Sequence, residues 1–352
     1  MAGTDLIAAG LIEKDENKDV LWTWSYPTID SETMERLRRK CLLSSGDSAE
    51  GAEDAAIPFT FGHFSKTWHY IHTTKVDESE VLPKVTYFSV VLLTKDFNPE
   101  KYQTLMSILA SAYASSGSAA KLLEPYLKVL TTGQCTGQFQ VKSYDVRRAY
   151  IAASIKDFVN QFGVETILVY TALLLKKRVA VYHPRLPELL KITRALPVLV
   201  WQRQNWNVLY PHVDIDEAEL NDLKSMSTYV AGFTDPAVES RAELYDVFVN
   251  VPGNSISIAS HAKESFGMGK IHKDIAMQMV QQAADDSLSE QLFIKELAFK
   301  TKELVGNLKK MATVGDDGVA GITLESLQAR KLTPAMENFL FNLASAEGLV
   351  QL

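Results

Sequence analysis

Cysteine is almost missing from this chain, with Cys41 and Cys135 the only two in 352 residues. Two widely separated thiols make neither a disulfide framework nor a zinc site, which implies a reducing compartment. Long apolar runs are missing as well. No stretch approaches the roughly 18 residues that a membrane-spanning helix needs. The apolar segment Leu6 to Ile12 has no basic residues before it and the acidic run Glu13 to Asp19 after it, which argues against a secretory leader. Positive charge is short too: 36 basic against 43 acidic side chains leave a net charge of −7. That balance argues against nucleic acid as a partner and against direct binding to anionic lipid, since both want basic patches. If the protein works on a membrane, another molecule brings it there.

The motifs of covalent and phosphate chemistry are also lacking. Gly267-Met268-Gly269-Lys270 invites comparison with a phosphate loop, but the first glycine of that pattern falls on Glu264 and its hydroxyl residue on Ile271. There is no Gly-x-Ser-x-Gly elbow, and neither cysteine stands in a nucleophile motif. His63, His69 and His72 cluster in one region. His69 and His72 are three apart, so on one strand they point to opposite faces and cannot share a metal ion. The reading is of packing histidines, with no catalytic residue, metal or cofactor.

What is present is a globular composition, 46% hydrophobic and 22% charged, long enough for two domains or one large composite. Leu6 to Ile12 and Val20 to Tyr26 read as a hairpin around a charged turn at Glu13 to Asp19. Asp30 or Ser31 caps a helix to about Leu43. Ser44 to Ala55, rich in acids, Gly and Ser, reads as a solvated loop. Ile57–Phe64, Thr67–Thr74 and Val85–Thr94 read as an antiparallel meander. Helices follow from Pro99 to about Ala114 and from Ser118 to about Leu130. Thr131 to Val141 is poor in apolar residues and is taken as the boundary.

Beyond it the spacing predicts a helix from Asp145 to about Gln161, then the most informative stretch, Val164 to Phe233. That stretch opens with a helix apolar nearly all round, hence buried, and continues through Lys176-Lys177-Arg178 into the strand Val179–Tyr182. An amphipathic helix from Pro187 to about Val200 is interrupted at Pro197, and further strands lie at Val208–Tyr210 and Tyr229–Phe233. Ala262–Ala284 reads as one interrupted helix, with Gly267 and Gly269 weakening it. Asp285-Asp286-Ser287 is expected to cap the next helix, Gly315–Gly318 to form a loop, and Thr333-Pro334 to open the last.

Two groups stand out as candidate contact residues. Alternation places Trp22, Trp24 and Tyr26 on one face of a strand, where they either roof the core or form an exposed platform for a partner helix. Lys176, Lys177 and Arg178 either complement a helix C-terminus or present a positive patch to an acidic partner.

The segments TALLLKKRVAVYHP (171–184), ALPVLVWQRQNWNVLYP (195–211) and YVAGFTD (229–235) resemble the core of the DENN domain. GLIEKD, VLWTWSYP, KDFNPEKY, SIKDFVNQFG, LYDVFVN and MENFLFNLA extend the resemblance over nearly the whole chain, to the short DENN-only members. The resemblance implies an α/β protein in three parts: a longin-like antiparallel sheet with helices over 1–132, an α/β core over 142–259 and a helical segment over 260–352. It also implies a cytoplasmic regulator of a Rab-family GTPase, a guanine-nucleotide exchange factor recruited to late endosomes. The alternative it implies is a non-enzymatic adaptor in the endosomal Commander assembly, bound to coiled-coil subunits. GTPase activation needs an exposed arginine; before residue 133 only Arg36, Arg38 and Arg39 are available, all in one helix.

Overall fold

The computed structural model describes residues 5–43, 57–64, 66–151, 154–314 and 320–350, and the two loops expected at Ser44–Ala55 and Gly315–Gly318 lie outside them. The chain forms two compact units, Met1–Ala149 and Tyr150–Leu352.

The first unit opens with β1 (Leu6–Asp15) and β2 (Val20–Tyr26), then α1 (Ser31–Lys40), β3 (Phe59–Phe64), β4 (Thr67–Lys75) and β5 (Val85–Thr94). The five strands form one antiparallel sheet in the order β2-β1-β5-β4-β3. β1 is longer than its apolar run, because Glu13, Lys14 and Asp15 still pair with β5. Ala8, Ile12, Ile71, Val91 and Leu93 pack on Leu37 of α1 and on Cys41 just past its end. Burial pushes the Cys41 thiol up to about 12, so it behaves as a small apolar side chain.

The other face receives α2 (Pro99–Ala114) and α3 (Ala119–Thr132). Phe88 meets Tyr113 edge-on with ring centres 4.9 Å apart, and Tyr70 packs on Tyr102 at 4.5 Å. Asn98 caps α2, its side chain accepting the Lys101 N–H, and Pro99 fills the first turn where no N–H is needed. Lys101, itself buried, is neutralised by Asp96 at 2.9 Å.

A hairpin of β6 (Gln134–Cys135) and β7 (Phe139–Gln140) follows, with Cys135 and Phe139 buried, and α4 (Arg148–Ile151) ends the segment. The dividing line between units falls after Ala149, inside α4 and beyond the compositional break at 131–141.

In the second unit α5 (Ile155–Phe162), α6 (Thr166–Leu174), β8 (Arg178–Tyr182), α7 (Leu186–Ala195) and β9 (Leu209–Tyr210) precede α8 (Glu217–Lys224) and β10 (Tyr229–Phe233). Next are β11 (Val247–Asn250), β12 (Ser255–Ile258), α9 (Lys270–Ala283) and α10 (Glu290–Lys309). The short pair β13 (Thr313–Val314) and β14 (Ala320–Gly321) and the helices α11 (Leu324–Gln328) and α12 (Pro334–Ala346) complete it. The sheet order is β12-β11-β8-β10-β9. β11, β8, β10 and β9 run parallel, and only the edge strand β12 is antiparallel. β8 is central, and Val179, Ala180 and Val181 are fully buried, as a strand covered on both faces requires. α7 gives way at Leu196 to a 3-10 stretch broken at Val200, where Pro197 removes a donor.

Two expectations of secondary structure need correction, and three elements lie outside the sequence reading. The single helix expected from Asp145 to Gln161 is two, α4 and α5, because Ser154 starts the second by accepting the Asp157 N–H. Asp285-Asp286-Ser287 does not cap α10. Asp285 instead accepts the Ser287 N–H and hydroxyl in a turn, and Ser289 accepts the Leu292 N–H at the true cap. Helix α8 and strands β11 and β12 were not anticipated, since α8 has few apolar residues and the two strands have four residues each.

Candidate protein-docking surface

β2 is an edge strand, so one side of its backbone is unpaired within the sheet. Its register carries a bulge. Leu11 pairs with Trp24 but Ile12 pairs with Trp22, leaving Thr23 as an extra residue. Paired residues share a face, so Trp22 lies with Ile12 on the α1 side while Trp24 lies with Leu11 on the opposite side. The expectation that Trp22, Trp24 and Tyr26 share one face is therefore corrected by the bulge.

Packing agrees with the register. Trp22 covers Gly10, where a Cβ would stand 2.4 Å from its ring, and joins the cluster around Leu37. Tyr26 meets Tyr126 of α3 edge-on at 6.3 Å. Beyond the bulge Leu21 pairs with Glu13, which returns it to the face of Trp24 and Tyr26. The row on that face is Leu21, Trp24 and Tyr26. Leu21 is 57% exposed and Tyr26 40%, while Trp24 is half-buried. Leu21 escaped the sequence reading because strict alternation assigns it to the other face, and nothing in the residue types marks the inserted position.

Lys176, Lys177 and Arg178 separate in role. Lys176 adopts φ +53° just past α6. Its N–H donates to Leu173 O (3.2 Å) and that of Lys177 to Ala172 O (2.8 Å), the pair of bonds of a Schellman ending. Arg178 is held inward. Its backbone N–H, Nε and Nη2 donate to the Asp246 carboxylate at 2.8, 3.3 and 3.1 Å, and its Nη1 donates to Glu243 O at 2.8 Å. Burial pushes the Asp246 carboxyl upward, but the hydrogen bonds and charge of Arg178 outweigh it and hold the group below the usual carboxylate range. Lys176 is exposed and Lys177 half-buried. Arg203, which the sequence did not single out, closes α6: its Nη1 and Nη2 donate to Leu173 O and Leu174 O, each at 2.7 Å, and it pairs with Glu347.

The histidines are packing groups. His63 stacks on Trp68 at 4.4 Å and His69 on Phe64 at 5.0 Å. Among the described residues one set of three carboxylates, Asp214, Asp216 and Glu219, comes close enough to hold an ion. It is accounted for as helix capping: the Glu219 N–H donates to Asp216 (3.0 Å) and the Asp214 N–H donates to Glu219 (2.9 Å). No described helix is long and apolar enough to cross a membrane.

Cavities of ligand size occur among the described residues, and two are of interest. One, about 780 Å³, lies between α2 and α3, where Ser107, Ser111 and Ser115 face Lys121 and Pro125. The other, about 440 Å³, lies at the carboxyl ends of β8 and β11.

Residues 152–260, which hold the parallel sheet, match the family model described as stabilization of polarity axis. Over nearly the full length the chain is similar to proteins named DENN domain-containing protein 10. The Danio rerio protein is 48% identical, covering 99% of this chain and 98% of the relative. The Homo sapiens protein is 45% identical, covering 99% and 97%. The Dictyostelium discoideum protein is 41% identical, covering 96% of each.

Proposed function

This chain belongs to the DENN domain-containing protein 10 family, and from that premise we propose that it regulates a Rab-family GTPase as a guanine-nucleotide exchange factor on late endosomes. The similarity of 45–48% over nearly the whole chain supports this reading. So does the match at 152–260, which is the part that resembles the DENN core. The three-part division, with a longin-like 1–132, a core of 142–259 and a helical 260–352, belongs to the same proposal.

Exchange asks for no catalytic side chain of the usual kind. The factor holds the GTPase's switch segments in an arrangement that binds nucleotide and Mg²⁺ poorly. By linkage, nucleotide weakens the complex by the factor through which the complex weakens nucleotide. A broad surface suffices, and the exposure of Lys176 supports an acidic partner there.

A second reading, a non-enzymatic adaptor in the Commander assembly, is favoured by one observation: Leu21, Trp24 and Tyr26 form a partly exposed row on an edge strand. Such a row suits the apolar stripe of a coiled-coil subunit, because large rings bury much area at low entropic cost. Purification from cells separates the readings. Capture by nucleotide-free Rab and not by the loaded form supports exchange, whereas a stoichiometric coiled-coil assembly supports the adaptor.

A further inference from the structure

The cavity of about 440 Å³ in the second unit occupies a position set by sheet topology. From β8 the chain crosses through α7 to β9 and β10 on one side, and β11 then pairs on the other side of β8. Connections therefore leave the neighbouring strands β8 and β11 in opposite directions. In open parallel sheets the crevice outside the carboxyl ends at such a point is where ligands bind. The size falls in the range of small-molecule sites.

The floor is His183, the residue after β8, together with Val251, the residue after β11. Both backbones are fixed: the His183 N–H donates to Phe233 O (3.1 Å) and the Val251 N–H to Tyr182 O (3.1 Å). His183 is 9% exposed, and the Arg185 N–H lies 3.0 Å from its Nδ1. A backbone N–H can only donate, so Nδ1 accepts, although Arg185 O also lies 3.1 Å away. The ring proton then resides on Nε2, which has no partner among the described residues. Phe158 of α5 and Ile192 of α7 supply apolar walls.

The charges at the mouth decide the ligand class. Asp157 pairs with Lys191 at 3.0 Å and Glu188 with Arg185 at 3.3 Å, so each acid carries its own base. An anion would meet two carboxylates, and a cation would meet Lys191 and the Nε2–H donor. A neutral ligand avoids both penalties, with an acceptor for Nε2–H, a flat apolar body for the walls and hydroxyls for the carboxylates. We propose that this crevice binds an uncharged heteroaromatic ligand carrying a hydroxylated tail, of the nucleoside class. The crevice is built wholly from residues of the second unit and does not depend on the GTPase reading.

Adenosine is the probe, with adenosine monophosphate as its anionic counterpart, titrated into the full chain to millimolar concentration. Imidazole ¹⁵N–¹H spectra should show His183 as the Nε2–H tautomer, and adenosine should shift that signal. His183→Asn keeps an acceptor for the Arg185 N–H, but its shorter amide no longer sets an N–H at the Nε2 position. Ile192→Trp fills the cavity and leaves His183 intact. Each should weaken adenosine binding by about tenfold or more, as expected for losing one good hydrogen bond or the cavity volume, with thermal unfolding close to that of the parent. An Nδ1–H tautomer, no shift at millimolar adenosine, binding unchanged in Ile192→Trp, or monophosphate binding as tightly as adenosine would each overturn the proposal.

Discussion

Trp22 lies directly over Gly10, so close that a β-carbon at position 10 would fall 2.4 Å from the indole Cζ2. The obstacle is a large ring packed against Ile12 and the α1 side of the sheet, not the free end of a flexible chain. Gly10→Ala is therefore expected to destabilise the first unit by about 1–3 kcal/mol through overpacking. Thermal unfolding of the full chain reads this out. An unchanged midpoint would mean that Trp22 moves freely and is not a core residue.

The bulge at Thr23 makes the neighbouring aromatics behave differently. Trp22→Asp, at a half-buried position, sets a charge against the α1 cluster and strips the ring from Gly10, so it is expected to lower the melting temperature more than Trp24→Asp does. Leu21→Asp sits on an exposed edge opposite Glu13 and should lower the unfolding free energy by no more than about 1 kcal/mol. If the row receives a coiled coil, Leu21→Asp should still cost about 2 kcal/mol or more of partner affinity. Trp24→Asp, half-buried, should lose binding with only a modest drop in melting. Retained pull-down by Leu21→Asp and Trp24→Asp ends the docking role of this row.

Much of the fold was legible because it rests on strong periodic signals. β5, α2, β8 and β10 fall where their apolar runs begin and end, since each run is bounded by Pro, Asn, Thr or charge. The missed elements have weak local signals. β11 and β12 are four residues each and gain their strand state by pairing with β8 and with each other. The face of Trp22 was illegible for a sharper reason. A one-residue bulge inverts every assignment beyond it, and alternation in the sequence is blind to an inserted residue.

Lys176 holds a left-handed conformation at φ +53°, where a β-carbon is penalised. Lys176→Gly removes that strain and is expected to raise stability by roughly 0.5–1 kcal/mol, after the entropy glycine adds to the unfolded chain. Calorimetric unfolding checks it. A lower midpoint would mean that the Lys176 side chain makes a stabilising contact.

Arg178 and Asp246 form a partly buried pair, with side-chain exposures of 24% and 11%. Arg178→Ala leaves the Asp246 carboxylate without its main partner and should cost about 3 kcal/mol. Because the native Asp246 carboxyl is held below its unfolded value, the stability it contributes is present above pH about 3.8 and is lost as acid drives the pH down through the native value. Arg178→Ala should therefore unfold earlier than the parent near neutrality, with a smaller relative deficit in strong acid. An equal deficit at both ends would count against the pair.

His272 has the opposite chemistry but the same acid sensitivity. Burial pushes its imidazole below the ordinary histidine value, its Nδ1 accepts the Gly269 N–H at 3.1 Å, and its ring meets Phe339 edge-on at 4.3 Å. The unfolded chain takes up the proton first, so stability is complete above pH about 6.5, falls as pH drops through that value, and levels off below the native one. His272→Gln should flatten the change in melting temperature between about pH 7.5 and 5.5. A slope identical to that of the parent would place the acid sensitivity elsewhere, for instance at His72, which burial also lowers.

The most direct test of the exchange account is release of a fluorescent guanine nucleotide from a panel of purified Rab GTPases, with and without the full chain. The account predicts that release from at least one Rab is accelerated in proportion to added protein, and that excess nucleotide dissociates the complex. No acceleration across the panel, with protein shown by its melting transition to be folded, would contradict exchange and leave the adaptor reading.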